Sequence, residues 1–297
     1  MDCRLIRRLD PQNQQGFTLL EIAIVLAIVA LLMGMGLQTY STSLDNAKRK
    51  TTSDRLDKIE EAITTFAIQN NYLPCPADGS LPSTNANYGL SQGGGVYTSP
   101  TAPTSCVNTI AAGRHALPWR TLGLDELYSR DGWGNRFSYA TSGYAQSSAT
   151  QGSIHYHESS STTDGIRRSG TNYPYGDLLV YTLAGAAGGF NSGQLTNSSA
   201  SPGTQAGCNA STNICAAYVL ISHGTHAAGA YSGSNTPTLN AVPATAGETE
   251  NNDGDAFFVQ NEPTQQASAS GLFDDIVRWK SAQNIVASCG SSACGNN

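Results

Sequence analysis

The 297-residue chain predicts an α+β fold: one long N-terminal α-helix packed on a mainly antiparallel β-sheet head with long disulfide-tied loops. Three observations carry this. An apolar run from Phe17 to Leu37 continues without proline as far as Tyr72. Short strand candidates follow with no regular helical crossovers between them, which favours antiparallel pairing. Six cysteines lie beyond the apolar run, an even number suited to an oxidising compartment.

The helix comes first. From Phe17 to Leu37 every residue is apolar or small except Thr18 and Glu21. These 21 residues span about 31 Å as a helix, the thickness of a bilayer's hydrocarbon core. Arg4, Arg7 and Arg8 precede the run, and Lys48, Arg49, Lys50 and Arg55 follow it, so the positive-inside rule selects no side. Further on, Leu56, Ile59, Ile63 and Phe66 fall at offsets of three and four and define one apolar face, with charges from Asp54 to Glu61 opposite. Pro74 and Pro76 end the pattern. A helix from Phe17 to about Asn70 would be roughly 80 Å long, with Gly34 and Gly36 its weak point.

The head follows. Residues 77–113 are rich in Ser, Thr, Pro, Asn and Gly and read as a loop. Strands are expected at Arg136–Ala140, Ser153–His157, Leu178–Thr182, Tyr218–Ser222 and Phe257–Gln260, separated by long loops at 185–216 and 228–254. In GLFDDIVRWKSAQNIVA the apolar spacing predicts a short helix capped by Ser270, with Asp274 and Asp275 near its positive end. A strand at Asp275–Trp279 is the alternative.

Removal of the first sixteen residues would delete Cys3 and leave Cys75, Cys106, Cys208, Cys215, Cys289 and Cys294. Nearest-neighbour pairing gives Cys75–Cys106, Cys208–Cys215 and Cys289–Cys294, one of about 15 connectivities open to six cysteines. A metal site would call for tighter spacing such as C-x-x-C, which is absent.

A carboxylate inside the apolar run sharpens the question of function, because a lone one in hydrocarbon costs about 2.5–3.5 kcal/mol on insertion scales. Gly16-Phe17-Thr18-Leu19-Leu20-Glu21, followed by that run, resembles the type IV prepilin signature. The resemblance implies cleavage between Gly16 and Phe17 by prepilin peptidase, N-methylation of Phe17, and an assembly role for Glu21. There the carboxylate pairs with a neighbouring subunit's new amine in low dielectric and fixes axial register. It also implies three segments: a leader at 1–16, the helix at 17–72 with 17–37 as transmembrane and filament core, and an extracytoplasmic head at 73–297. The chain would sit in the inner membrane as a single-pass protein with a cytoplasmic N-terminus, then pass to a periplasmic or extracellular filament. Its partners would be other pilin subunits, prepilin peptidase, the inner-membrane pilus or secretion assembly machinery, and membrane lipid before assembly. In the head, LPCPADG, ALPWRTLGL, DGWGNRFSYA and AYVLISHG are similar to segments of larger minor pilins and pseudopilins. Gly132 stands where the pseudopilin D-P-W-G turn has proline.

The implied function is a type IV pilus minor pilin or pseudopilin-like structural subunit, serving adhesion, assembly initiation, DNA uptake or secretion. The large tip pseudopilin of type II secretion usually lacks the glutamate, so Glu21 argues against that assignment. The alternative is a membrane-anchored binding module that never polymerises. A net charge of −6, with no basic run beyond Lys48-Arg49-Lys50, disfavours a broad nucleic-acid surface and leaves a local one open. No catalytic residue is assigned and no enzyme is expected: GAYSG at 229–233 displaces the serine of a nucleophile elbow, and GAAGG at 185–189 lacks the lysine of a phosphate loop. A surface hydrolase would need Ser222, His223 or His226 beside an acid in a cleft. His155 and His157 share one strand face but lack a clear third ligand, so a polar exposed face is the plainer reading. No cofactor is required. In GETENNDGDAFF, Glu248, Glu250, Asn251, Asp253 and Asp255 are oxygen ligands of a kind suited to Ca²⁺, with Glu250, Asp253 and Asp255 the candidate set. Their spacing is not that of an EF-hand, and a solvated acidic loop is the plainer reading.

Overall fold

The computed structural model describes residues 17–70, 73–91, 115–141, 178–182, 216–241, 246–252, 257–268 and 271–289, without the side chains of 32–40, 246, 265–268, 271–272 and 282. Two compact units result, Met1–Asn46 and Ala47–Asn297. Helix α1 runs Leu19–Asn70. In the first unit every described side chain from Phe17 to Leu31 is exposed, Leu19 at 92% and Leu20 at 70%. Nothing among the described residues covers this apolar surface.

The second unit is built on the other part of α1. Leu56, Ile59, Ile63 and Ala67 are fully buried, at offsets of three, four and four. Ala67 takes the place expected of Phe66, which is only half-buried. Each large apolar side chain on this face contributes about 1.5–3 kcal/mol by leaving water. The face packs with Leu117, Phe137, Tyr139, Tyr218, Leu220 and Ile285 in one core.

The partner surface is a five-stranded sheet: β1 Ala77–Asp78, β2 His115–Ala116, β3 Ser138–Thr141, β5 Ala216–Ser222 and β9 Ile276–Ser281, in the order β1-β2-β3-β5-β9. Every pairing in it is antiparallel, with Ser138 opposite Ile221 and Val219 opposite Trp279. All seven residues of β5 are buried, which explains its unbroken apolar run. Alternate residues serve opposite faces: Tyr218 and Leu220 join the helix side, while Val219 and Ile221 meet Leu178, Val180, Phe258 and Val277 on the other. That second layer holds β4 Leu179–Tyr181 and β6 Phe257–Val259, which pair in parallel, an exception to the antiparallel rule. A short hairpin, β7 Thr264–Ser268 with β8 Gly271–Phe273, helix α2 Ala246–Glu250 and a 3-10 turn at Glu126–Ser129 complete the described elements before β9.

The expected helix over 271–287 is corrected. Ile276–Ser281 is strand β9, and the helix, α3 Ala282–Ser288, begins only afterwards. Its cap is Ser281, whose hydroxyl accepts from Asn284 N at 3.2 Å, not Ser270. The strand prevails because its residues alternate. Val277 and Trp279 enter the second-layer core, while Ile276 packs on the helix-side core. On that same side Arg278 reaches Ser53 Oγ at 3.0 Å and Asp57 Oδ1 at 3.6 Å, and Lys280 reaches Glu60 Oε2 at 3.3 Å.

The DGWG turn locks onto α1. Gly132 N donates to Thr52 Oγ1 at 2.9 Å, and Arg55 Nη1 donates to the carbonyls of Arg130 and Asp131 at 2.7 and 2.8 Å. Arg49 lies over the Trp133 ring. A Cβ on Gly132 would stand 2.2 Å from Lys48 O, so this turn reaches the helix only without a side chain there. From the neighbouring bridge, Arg136 donates to the carbonyls of Gly79 and Leu81, both at 2.8 Å, and stacks on Tyr88 at 4.6 Å. Residues 79–88 are thereby pinned to the sheet.

Cys75 and Cys289 are buried and disulfide-bonded. Cys106, Cys208, Cys215 and Cys294 lie outside the described residues, as do Gly16, Asp253, Asp255 and the expected strand Ser153–His157 with its two histidines.

Candidate functional site

Glu21 sits in the first turn of α1 and its carboxylate is not idle. Thr18 N and Thr18 Oγ1 both donate to Glu21 Oε2, at 3.1 and 3.2 Å, and Glu21 N donates back to Thr18 Oγ1 at 3.2 Å. This is a reciprocal capping box, T-x-x-E, satisfying two amides the helix start leaves without partners. The spacing was present in the sequence as Thr18 and Glu21, and the capping box is the signal that the reading of the apolar run missed. The negative charge also lies at the positive end of the helix dipole. Among the described residues no helix is long and apolar enough to cross a membrane. The described side chains of the run stop at Leu31, about 22 Å from Phe17 along the axis.

The second concentration of chemistry is inside the head, where the turn after β5 meets the turns around Asp131 and Asp274. Ser222 donates to Asp131 Oδ2 at 2.8 Å, while Asp131 Oδ1 accepts from Trp133 N and Asn135 N, both at 2.9 Å. Burial holds the Asp131 carboxyl above the usual carboxylate range, against the pull of these donors. His223 is fully buried, with Nε2 2.8 Å from Ser138 Oγ and Nδ1 3.4 Å from Asp275 Oδ1. Burial lowers its basicity, but the carboxylates of Asp275, Asp131 and Asp274 outweigh burial and leave its pKa raised. Half-exposed His226 sits on Asp274, its backbone N and its Nδ1 each 2.8 Å from Oδ2. Gly224, at φ +56°, makes this contact possible, since a Cβ there would lie 2.3 Å from Asp274 O.

Glu248 of α2 enters from the far side, its Oε1 accepting from Asp274 N at 3.2 Å. One carboxylate oxygen from each of Glu248, Asp274 and Asp275 lies within 4.8 Å of the others, and all three residues are buried. At an effective dielectric of 20, each such pair of charges repels by about 3 kcal/mol. Burial, then the nearby Asp275 and Asp274, push the Glu248 carboxyl up to about 7. Asn251 ties the group to the second layer: Nδ2 donates to Asp275 Oδ2 at 2.8 Å and to Val259 O at 2.9 Å, and Oδ1 accepts from Val259 N at 2.7 Å.

Of the acidic candidates in 248–255, the structure thus brings Glu248 and Asn251 into the cluster, joined by Asp274 and Asp275. Glu250 ends α2 half-buried. Sequence reasoning missed the two aspartates because it placed them in a helix. It also missed Ser138, whose order with His223 and Asp275 is that of a hydrolase relay. Here, however, the histidine has no exposure and the 3.4 Å contact to Asp275 is not a hydrogen bond. Ser222, for its part, pairs with Asp131 and not with the adjacent histidine.

A long N-terminal helix with an acidic, self-capped first turn, and an antiparallel sheet backed by helical residues 47–70, define an α+β fold. Residues 11–37 match the model of the prokaryotic N-terminal methylation motif, the type IV prepilin and pseudopilin signature. The motif indicates a pilin-like precursor, a structural subunit, and implies processing by prepilin peptidase and assembly with other pilin subunits. No curated protein and no solved structure matches the chain.

Proposed function

We propose that this chain is a minor subunit of a type IV pilus or a pseudopilus, cleaved between Gly16 and Phe17, N-methylated on Phe17 and polymerised through its apolar helix. The methylation motif at residues 11–37 carries this reading. The exposed apolar side chains from Phe17 to Leu31 support it, since they require lipid or neighbouring helices as cover. Before cleavage the run from Phe17 to Leu37 crosses the inner membrane with residues 1–16 on the cytoplasmic side and the head at 73–297 outside. After cleavage it leaves lipid for the filament core.

Glu21 is the residue on which assembly turns. In the free subunit it accepts from Thr18. In the filament it pairs with the methylated amine of a neighbour's Phe17, a charged donor replacing neutral ones and a stronger bond in a dry core. The head, with its loops tied by Cys75–Cys106, Cys208–Cys215 and Cys289–Cys294, is large for a repeating subunit and suits a low-copy position in adhesion, assembly initiation, DNA uptake or secretion.

Mass spectrometry of protein from native membranes tests the processing: the expected N-terminus is N-methyl-Phe17, and an intact leader would end the proposal. Glu21→Ala tests assembly, with incorporation into sheared filaments expected to fall at least ten-fold while membrane insertion and cleavage persist. Undiminished incorporation would show that the carboxylate does not set register. Full processing without any filament incorporation of the wild type would favour a membrane-anchored binding module.

A further inference from the structure

We infer that Glu248, Asp274 and Asp275 form an internal site for one hard divalent cation, calcium in the first place, which fastens the α2 segment to the approach of strand β9. The three carboxylates reach one point from two separate parts of the chain, one from α2 and two from the connection between β8 and β9. Their exposures are 0%, 4% and 2%, so solvent does not screen them from one another.

Clustering alone would not make a site. The independent observation is how the aspartates are dressed. His226 N and Nδ1 occupy Asp274 Oδ2, and Asn251 Nδ2 occupies Asp275 Oδ2. The remaining oxygens, Oδ1 of Asp274 and Oδ1 of Asp275, are buried and accept no hydrogen bond. A buried acceptor without a donor is rare in folded proteins because it forfeits its hydration for nothing; here Asp274 Oδ1 is one, and Asp275 Oδ1 has only His223 Nδ1 at 3.4 Å. The donors just named hold each aspartate by one oxygen, and the group nearest the other oxygens is His223 Nδ1.

The nearest basic group does not fill the role. His223 Nδ1 is 3.4 Å from Asp275 Oδ1, forms no hydrogen bond to it, and brings at most one positive charge to three carboxylates. A divalent ion supplies two charges and would bond to one oxygen of each carboxylate together. The donors in the group are all carboxylate oxygens, which selects Ca²⁺ or another hard ion over zinc, whose sites are built from nitrogen and sulfur. Half-exposed His226, seated on Asp274, marks the side open to solvent. This site differs from a loop site at Glu250, Asp253 and Asp255, and it stands whether or not the chain polymerises.

The test uses the full chain in detergent, stripped with EDTA and titrated calorimetrically with CaCl₂, MgCl₂ and MnCl₂, with thermal unfolding in parallel. One Ca²⁺ per chain is expected, with a rise of several degrees in Tm. Glu248→Gln keeps an acceptor for Asp274 N and removes one charge, so it should weaken calcium binding about ten-fold or more. The double variant Asp253→Asn, Asp255→Asn should bind as the wild type does. Absence of both heat and Tm shift at millimolar calcium overturns the inference. Calcium affinity unchanged in E248Q, or lost only in the 253/255 variant, also overturns it by placing the ion elsewhere. If E248Q folds poorly by circular dichroism, Asp274→Asn, which also deletes one charge, decides location on the same criteria.

Discussion

Gly132→Ala should unlatch the DGWG turn from α1. An added Cβ would lie 2.2 Å from Lys48 O and 2.8 Å from Lys48 C, both backbone atoms of a helix that cannot give way locally. The turn must therefore retreat by roughly 1 Å to reach ordinary van der Waals contact. Gly132 N and Thr52 Oγ1, now 2.9 Å apart, would then exceed hydrogen-bonding distance, at a loss of about 1 kcal/mol. The two Arg55 bonds to Arg130 O and Asp131 O have a charged donor and are worth about 1.5–3 kcal/mol each where fully broken. With partial relaxation the total is roughly 3–5 kcal/mol, and Tm should fall by roughly 6–20 °C for a unit of this size. Gly134→Ala is the control. Gly134 has φ +91° but nothing within 4 Å of a Cβ, so its replacement should cost only the backbone conformation, about 1–2 kcal/mol. Thermal unfolding followed by circular dichroism compares the pair. If G132A loses no more stability than G134A, the close approach is not what holds the turn.

Other substitutions probe the core, the buried acids and the cross-links. Ile59→Ala, at a fully buried position of the helix face, should cost about 2–5 kcal/mol in urea unfolding, whereas exposed Leu44→Ala should stay within about 0.5 kcal/mol. Because burial raises the Asp131 carboxyl pKa, its stabilising contribution is complete below the unfolded value and declines as pH rises through the folded one. The stability of the wild type relative to Asp131→Asn should therefore fall as pH rises above the ordinary carboxylate value of 3.8, and a rise in urea midpoints there would contradict the assignment. Non-reducing peptide mapping should return Cys75–Cys106, Cys208–Cys215 and Cys289–Cys294; a peptide joining Cys75 to any of the other four would refute that connectivity.

What the sequence disclosed depended on whether a pattern was local. The α1 face at Leu56, Ile59 and Ile63 and the apolar run of β5 follow from periodicity, which burial of one surface imposes directly. Ile276–Ser281 was harder, because six residues with Arg278 and Lys280 among them satisfy a helical spacing as readily as alternation. The deciding partners, Ser53, Asp57 and Glu60, are over two hundred positions away. A separation of 26 positions between Glu248 and Asp274 was enough to hide the acidic cluster. Glu248 and Asn251 were visible as oxygen ligands, but nothing local to Asp274 and Asp275 announces that they turn inward. The parallel pairing of β4 with β6 was likewise invisible, since no helical crossover advertises it in the described chain.

The order β1-β2-β3-β5-β9 has a consequence for how the head comes into being. Its longest strand, β5, gains its longest partner from residues 276–281, and that partner also grips α1 at Ser53, a contact closing 225 positions. A chain threaded across a membrane from the helix end would thus emerge with its longest strand one neighbour short until the final strand arrived. Such long closure slows folding and keeps an open β-edge waiting. Under the membrane insertion proposed above, the interval before β9 arrives, rather than any defect of the finished fold, is where the sheet is most exposed to mispairing.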